Sequence, residues 1–113
     1  MKAIPTEELD RLLAAMIQSD DGISDLLFVA GKPPQAEVHG RLKPFALEPP
    51  ETVLTSDHIE GVAGAIIGKN PRLLQDMVDH GSCDCSYALK NFCRFRVNIY
   101  RQNGNYAMVM RRL

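Results

Sequence analysis

The sequence is short of net charge, of cysteine and of long hydrophobic runs, and each shortage removes a class of function. Thirteen Lys and Arg against fourteen Asp and Glu leave a formal net charge of −1, so no global field attracts nucleic acid or an anionic lipid surface. Any cationic chemistry must come from a local patch. There are only three cysteines. An odd number, with Cys83 and Cys85 one residue apart, is no disulfide framework and fits a reducing compartment. No stretch approaches the roughly 20 apolar residues of a membrane span. The opening residues, Met1 to Glu8, are charged and lead into no apolar run of the signal-peptide kind. Together these absences predict a cytoplasmic location. There is also no internal repeat, no low-complexity segment and no Gly-x-x-x-x-Gly-Lys-[Ser/Thr] loop to cradle phosphates, so these residues alone are not expected to hydrolyse a nucleotide.

What is present is a globular pattern. With 113 residues, 45% of them hydrophobic, the chain suits one domain over 1–113 with its own core. Thr6 is a candidate N-cap, followed by Glu7 and Glu8 where the helix dipole favours anions. Leu9, Leu12, Leu13, Met16 and Ile17 then keep helical rhythm up to Asp20-Asp21-Gly22, giving a leading helix over about 1–21. The run Leu26 to Val29 reads as a covered strand, and Gly31-Lys32-Pro33-Pro34 as a turn. Ala36 and Val38 enter a hairpin at His39-Gly40, and Pro44 stops the returning strand. Residues 47–54, rich in Pro and Glu, read as a surface loop. Two helices follow. One carries Ile59, Val62, Ala63, Ile66 and Ile67 and is closed by Gly68. The other starts at Asn70-Pro71, presents Leu73, Leu74, Met77 and Val78, and ends at Gly81. Strands over 83–89, 93–102 and 105–113 complete the chain, with turns at Lys90-Asn91 and Asn103-Gly104. Helices grouped between antiparallel strands predict an α+β domain, with helices packed on one face of a sheet.

The last hairpin carries the most information. Asn-Gly is the strongest short hairpin signal, because a type I′ turn needs positive φ at both central residues. A two-residue loop at Asn103-Gly104 sets Val97 opposite Met110, Ile99 opposite Met108 and Arg96 opposite Arg111. Alternation supports this register: Cys93, Phe95, Val97, Ile99, Met108 and Met110 form an apolar face, and Arg94, Arg96, Asn98 and Arg111 fall on the other. Two arginines directly opposite repel unless solvent, a carboxylate or an anion intervenes. Planar guanidinium forks suit phosphate oxygens, so Arg96 and Arg111, with Arg94 as a weaker contributor, are the candidate phosphate contacts. The bland alternative is a pair of solvated arginines on an exposed face.

These residues resemble a family. Cys93-Arg94-Phe95-Arg96-Val97-Asn98, with Gln102 and a short turn, is similar to the closing hairpin of the N-terminal domain of PilT-like type IV pilus retraction ATPases. Ser24-Asp25-Leu26, Ala30 to Pro34 and Val38-His39-Gly40-Arg41-Leu42 resemble that domain's opening strands in the same order, with Asp84 and Ser86 between. The resemblance runs from about Gly22 to Leu113. It implies a PAS-like domain of the secretion-ATPase superfamily, whose members form homo-hexameric rings powering twitching motility at the cytoplasmic face of the inner membrane. It implies packing on a nucleotide-binding domain of the same or a neighbouring subunit, and arginine fingers at Arg96 and Arg111 reaching ATP and Mg held there. Contact with the pilus platform in the inner membrane would be indirect. That C-terminal nucleotide-binding domain lies outside these residues, so the chain is expected to continue past Leu113; no cofactor or metal is expected to bind tightly to this part alone. Three departures stand out: Gly104 where the family often has arginine, Ser82 in place of an acidic residue, and the pair Cys83 and Cys85.

Other sites are weaker. Cys83 and Cys85 alternate to one side of a strand at a spacing unusual for zinc, and His39, His58 and His80 show no ligand rhythm; buried small side chains are the plainer reading. Asp25 beside Ser24 could be an acid, but no histidine or second carboxylate is placed with it by the sequence, which favours a strand-entry or interface role. Arg94-Phe95-Arg96 could track single-stranded nucleic acid only if Phe95 were free to stack, and the register turns it inward, so no nucleic-acid partner is expected. Two further function classes remain: a PAS-like sensor with a ligand in its own core, and an interaction domain with no ATPase attached.

Overall fold

The computed structural model describes all 113 residues. Its elements are α1 (Thr6–Gln18), β1 (Ile23–Val29), β2 (Gln35–Val38), β3 (Arg41–Pro44), α2 (Ser56–Ile67), α3 (Pro71–His80), β4 (Ser82–Leu89), β5 (Cys93–Gln102) and β6 (Asn105–Arg112). The strands form one six-stranded sheet in the order β3-β2-β1-β6-β5-β4, antiparallel at every pairing. The three helices pack against it, which gives the expected α+β class.

Each helix is set by local chemistry that is mostly legible in the sequence. Leu9, Leu13, Met16 and Ile17 of α1 are buried, as their spacing requires. Its N-cap is Pro5 rather than Thr6, and no side chain caps it. The Pro5 carbonyl instead accepts from the amides of Glu8 and Leu9 at 3.0 and 3.1 Å, and proline's fixed φ, here −59°, already suits the entry to a helix. In α2, the Thr55 hydroxyl accepts from the His58 amide at 3.1 Å, while His58 Nδ1 accepts from the Thr55 amide at 3.2 Å. This reciprocal box satisfies two otherwise orphaned donors. Asn70 caps α3 through two amide bonds, Pro71 holds its first position and Gly81 ends it in the left-handed region. Leu73 and Met77 of α3 are buried and Leu74 partly so, but Val78 is 73% exposed. The apolar stripe of this short helix is narrow, and Val78, one residue beyond Met77, is turned roughly 100° away from it.

A close approach that the sequence does not announce fixes the N-terminal segment. The Ile4 amide donates to the Gly61 carbonyl at 3.0 Å. A Cβ at Gly64 would lie 1.7 Å from the Lys2 carbonyl oxygen. Residues 2–4 therefore cross α2 where two glycines leave room for backbone on backbone.

The sheet has two unlike faces. Leu26, Phe28, Phe95, Val97, Ile99, Met108 and Met110 are fully buried and build the core with the helices, α2 lying over β6 and α3 over β4. The first strand is longer than its apolar run because the register shifts between Ile23 and Asp25. This bulge adds Ser24 to the strand, so Ile23 and Leu26 both reach the core while Asp25 points to the opposite, open face.

Candidate functional site

The open face is organised by the β5–β6 hairpin. Asn103 and Gly104 have φ of 54° and 79°, as a type I′ turn demands. Gln102 pairs with Asn105, Ile99 with Met108, Val97 with Met110 and Arg96 with Arg111. The same row extends outward to Ser86 on one side and to Asp25 and Glu37 on the other. One line of polar side chains thus crosses five strands: Ser86, Arg96, Arg111, Asp25, Glu37. In the neighbouring row, Asn98 Nδ2 donates to Asp84 Oδ1 at 3.0 Å. Asp84, Arg96, Asn98, Val109 and Arg111 together line a shallow depression.

The arginines in that line are not equivalent. Arg111 Nε donates to Asp25 Oδ1 at 3.3 Å, with the arginine side chain 71% exposed and the aspartate only 10%. Arg96 is exposed and has no side-chain hydrogen bond or ion pair. Arg94 is also exposed, two residues back on the same face and opposite Ala88. Arg96 and Arg111 are therefore brought together, with one restrained and one free. Chemically, two adjacent exposed guanidinium groups are the kind of donors that suit an anion of phosphate size.

The sequence supplied no partner carboxylates for Asp25, and here the structure adds to it. Glu37 stands directly opposite Asp25 on β2, and the Ser24 hydroxyl donates to the Glu37 backbone carbonyl at 3.3 Å and lies 3.4 Å from its Oε2. The Asp25–Arg111 contact joins residues 86 apart. No hairpin argument reaches that far, and only the adjacency of β1 and β6 reveals it.

The remaining candidates lie off the arginine row. Cys83 is buried and Cys85 half-buried on the core side of β4, while Asp84 faces out. Burial pushes the Cys83 and Cys93 thiols up, and lifts Cys85 to about 11, so none is poised as a thiolate. No three His, Cys, Asp or Glu side chains converge to hold a metal. Phe95 is fully buried. Gly31, at φ 87°, makes a turn whose backbone is tied to Leu54 by bonds of 2.8 Å on both sides, which pins the end of the 47–54 loop. The largest cleft, about 340 Å³, lies at the surface between α1, α2 and that loop and opens to solvent. The core has no enclosed cavity for an internal ligand.

The comparisons with known proteins rest on shape. No protein-family model and no curated protein sequence matches the chain. Solved structures do. The pilus retraction motor PilT with bound ADP superposes with a TM-score of 0.68 at 24% identity, over 91% of this chain and 28% of that one. The fold is that of the N-terminal part of PilT and DotB. The ATPase DotB of Legionella pneumophila gives 0.73 at 22% identity, over 100% of this chain and 30% of that one. DotB of Yersinia pseudotuberculosis gives 0.67 at 20%, over 98% and 31%. The chain thus spans about three tenths of the length of the structures it matches. Identities at this level establish a common fold, and activity has to be argued from the residues.

Proposed function

We propose that this domain is the N-terminal, ring-interface domain of a PilT-like hexameric ATPase that drives type IV pilus retraction. It presents Arg96 and Arg111, with Arg94 as an outer contact, to the phosphates of ATP bound on a nucleotide-binding domain. The observation that carries the reading is the pairing of Arg96 with Arg111 on the open sheet face, at the two positions where the family resemblance calls for arginine fingers. The likeness in fold to PilT and DotB supports the same reading. The PilT structure carries ADP, which fits a nucleotide in the assembled motor.

Division of labour follows from the residues. The exposed guanidinium forks fit phosphate oxygens. In this reading Mg²⁺, the phosphate-binding loop and the base pocket belong to the nucleotide-binding domain, and this domain contributes cationic donors across the interface. Arginine donors of this kind stabilise charge on the transferring phosphoryl group, worth roughly 10³–10⁵ in rate. Retraction, assembly and secretion motors differ in partners more than in this domain, so the pilus assignment leans on the residue blocks and the ring role on the arginines.

In the protein joined to its ATPase domain, Arg96→Ala and Arg111→Ala should each lower kcat by about 10³-fold and leave hexamers intact by mass. Wild-type turnover in both variants would overturn the proposal.

A further inference from the structure

Asp25 is the only charged residue in the buried set, and its one side-chain partner is Arg111. We infer that Asp25 is a positioning residue for Arg111. It grips the guanidinium at Nε from behind, so that both terminal nitrogens project as a free fork towards phosphate oxygens. The inference rests on the phosphate-contact reading of Arg111 given above.

The geometry argues for this direction of control. Asp25 and Arg111 are directly opposite on β1 and β6, the two central strands of the sheet, so their backbones are held on both sides. The aspartate side chain is 10% exposed and immobilised by its surroundings, whereas the arginine is 71% exposed and would otherwise wander among many rotamers. The contact uses Nε and not the terminal nitrogens, leaving the end-on fork unoccupied for bidentate binding. A nearly buried carboxylate without a partner is unfavourable, so the pair persists when no anion is bound. Glu37, beside Asp25 in the same row, adds negative charge that draws Arg111 to that side and away from Arg96. Arg96 has no equivalent tether. The result is one pre-set donor and one that must be ordered on binding, and preorganisation lowers the cost of contact.

The test uses the 113-residue chain and inorganic triphosphate. Nitrogen-15 relaxation of the arginine Nε–H groups should show Arg111 ordered and Arg94 and Arg96 mobile. Asp25→Ala should bring Arg111 to the mobility of the other two and weaken triphosphate binding about fivefold, a coupling typical of contacting charged pairs. In an Arg111→Ala background the same change should cost nothing further. Asp25→Asn, which keeps the shape and the acceptor oxygen, should preserve the order of Arg111 and bind within about twofold of wild type. A wild-type Arg111 as mobile as Arg96 overturns the inference without any variant. So does an equal loss from Asp25→Ala with and without Arg111, which would mark a purely structural carboxylate. If Arg111→Ala itself leaves triphosphate binding unchanged, the failure is that of the phosphate-contact reading. If Arg111→Ala weakens binding and Asp25→Ala does not, only the positioning role falls.

Discussion

Arg96 and Arg111 face each other across the β5–β6 hairpin, and only Arg111 is ion-paired to a carboxylate. Like charges directly opposite on a sheet destabilise by up to ~1 kcal/mol. Asp25 offsets part of this from the far side of Arg111, while Arg96 relies on solvent. The molecule therefore keeps a cation pair that packing alone does not ask for.

Lysine should not replace either arginine. Its ammonium is a point charge without the planar fork, so Arg96→Lys and Arg111→Lys in the ATPase-linked protein should each lose about 10²-fold in kcat. Steady-state turnover at saturating ATP measures this.

Gly64 should be intolerant of a methyl group. Its Cβ would fall 1.7 Å from the Lys2 carbonyl oxygen, a backbone atom that cannot move aside alone. Gly64→Ala should cost about 1–3 kcal/mol in urea unfolding. Deleting residues 1–4 should reverse the sign, because alanine is then the better helix former by about 1 kcal/mol. At Gly61 the obstacle is the Ile4 side chain at 3.0 Å, which can shift, so Gly61→Ala should be milder.

The hairpin turn should be sensitive at Gly104, whose φ is 79°. Gly104→Ala should cost about 1–2 kcal/mol, read as a lower urea midpoint with an unchanged slope. Loss of triphosphate binding beyond what the stability change explains would show that register, and with it the Arg96–Arg111 pairing, had slipped.

Alkaline pH should weaken the fold. Burial lifts the Cys85 thiol to about 11 from a value of 9.0, so the unfolded chain gives up this proton before the folded one does. Stability contributed by the neutral thiol is full below pH 9 and is lost as pH rises through about 11. Cys83, Cys93 and Tyr87 are shifted in the same direction. Melting temperature should therefore fall from pH 9 upward, less steeply in Cys85→Ala, and native Cys85 should resist alkylation at pH 8.

Much of this was legible in the sequence where a local rule decides. Asn103-Gly104 set the register of the last hairpin, Asn70-Pro71 and Gly81 bounded α3, and His39-Gly40 closed the β2–β3 turn, with φ of 51° and 79°. The misses lie where distance or competition decides. The helix α1 starts one residue earlier than the Thr6 cap implied, with Pro5 at the cap and no side-chain bond there, a shift that side-chain capping preferences alone do not predict. Val78 keeps helical company with Met77 in sequence yet lies outside the narrow stripe that α3 buries. The Asp25–Arg111 contact and the crossing of residues 2–4 over Gly64 join segments 86 and about 60 residues apart, and periodicity carries no information about such meetings.

The position of β6 bears on how the chain acquires its fold. In the order β3-β2-β1-β6-β5-β4, the first three strands and the fourth and fifth share no pairing of their own; β6 alone bridges them. Without residues 105–112 no strand pairing would join the two halves of the sheet, and the pairing of β1 with β6, distant in sequence, is of the kind that contact-order arguments make slow. Until β6 pairs, the edges of β1 and β5 stand open. A nascent chain arrested just short of β6 should therefore be the form of this domain most prone to mispairing with its neighbours.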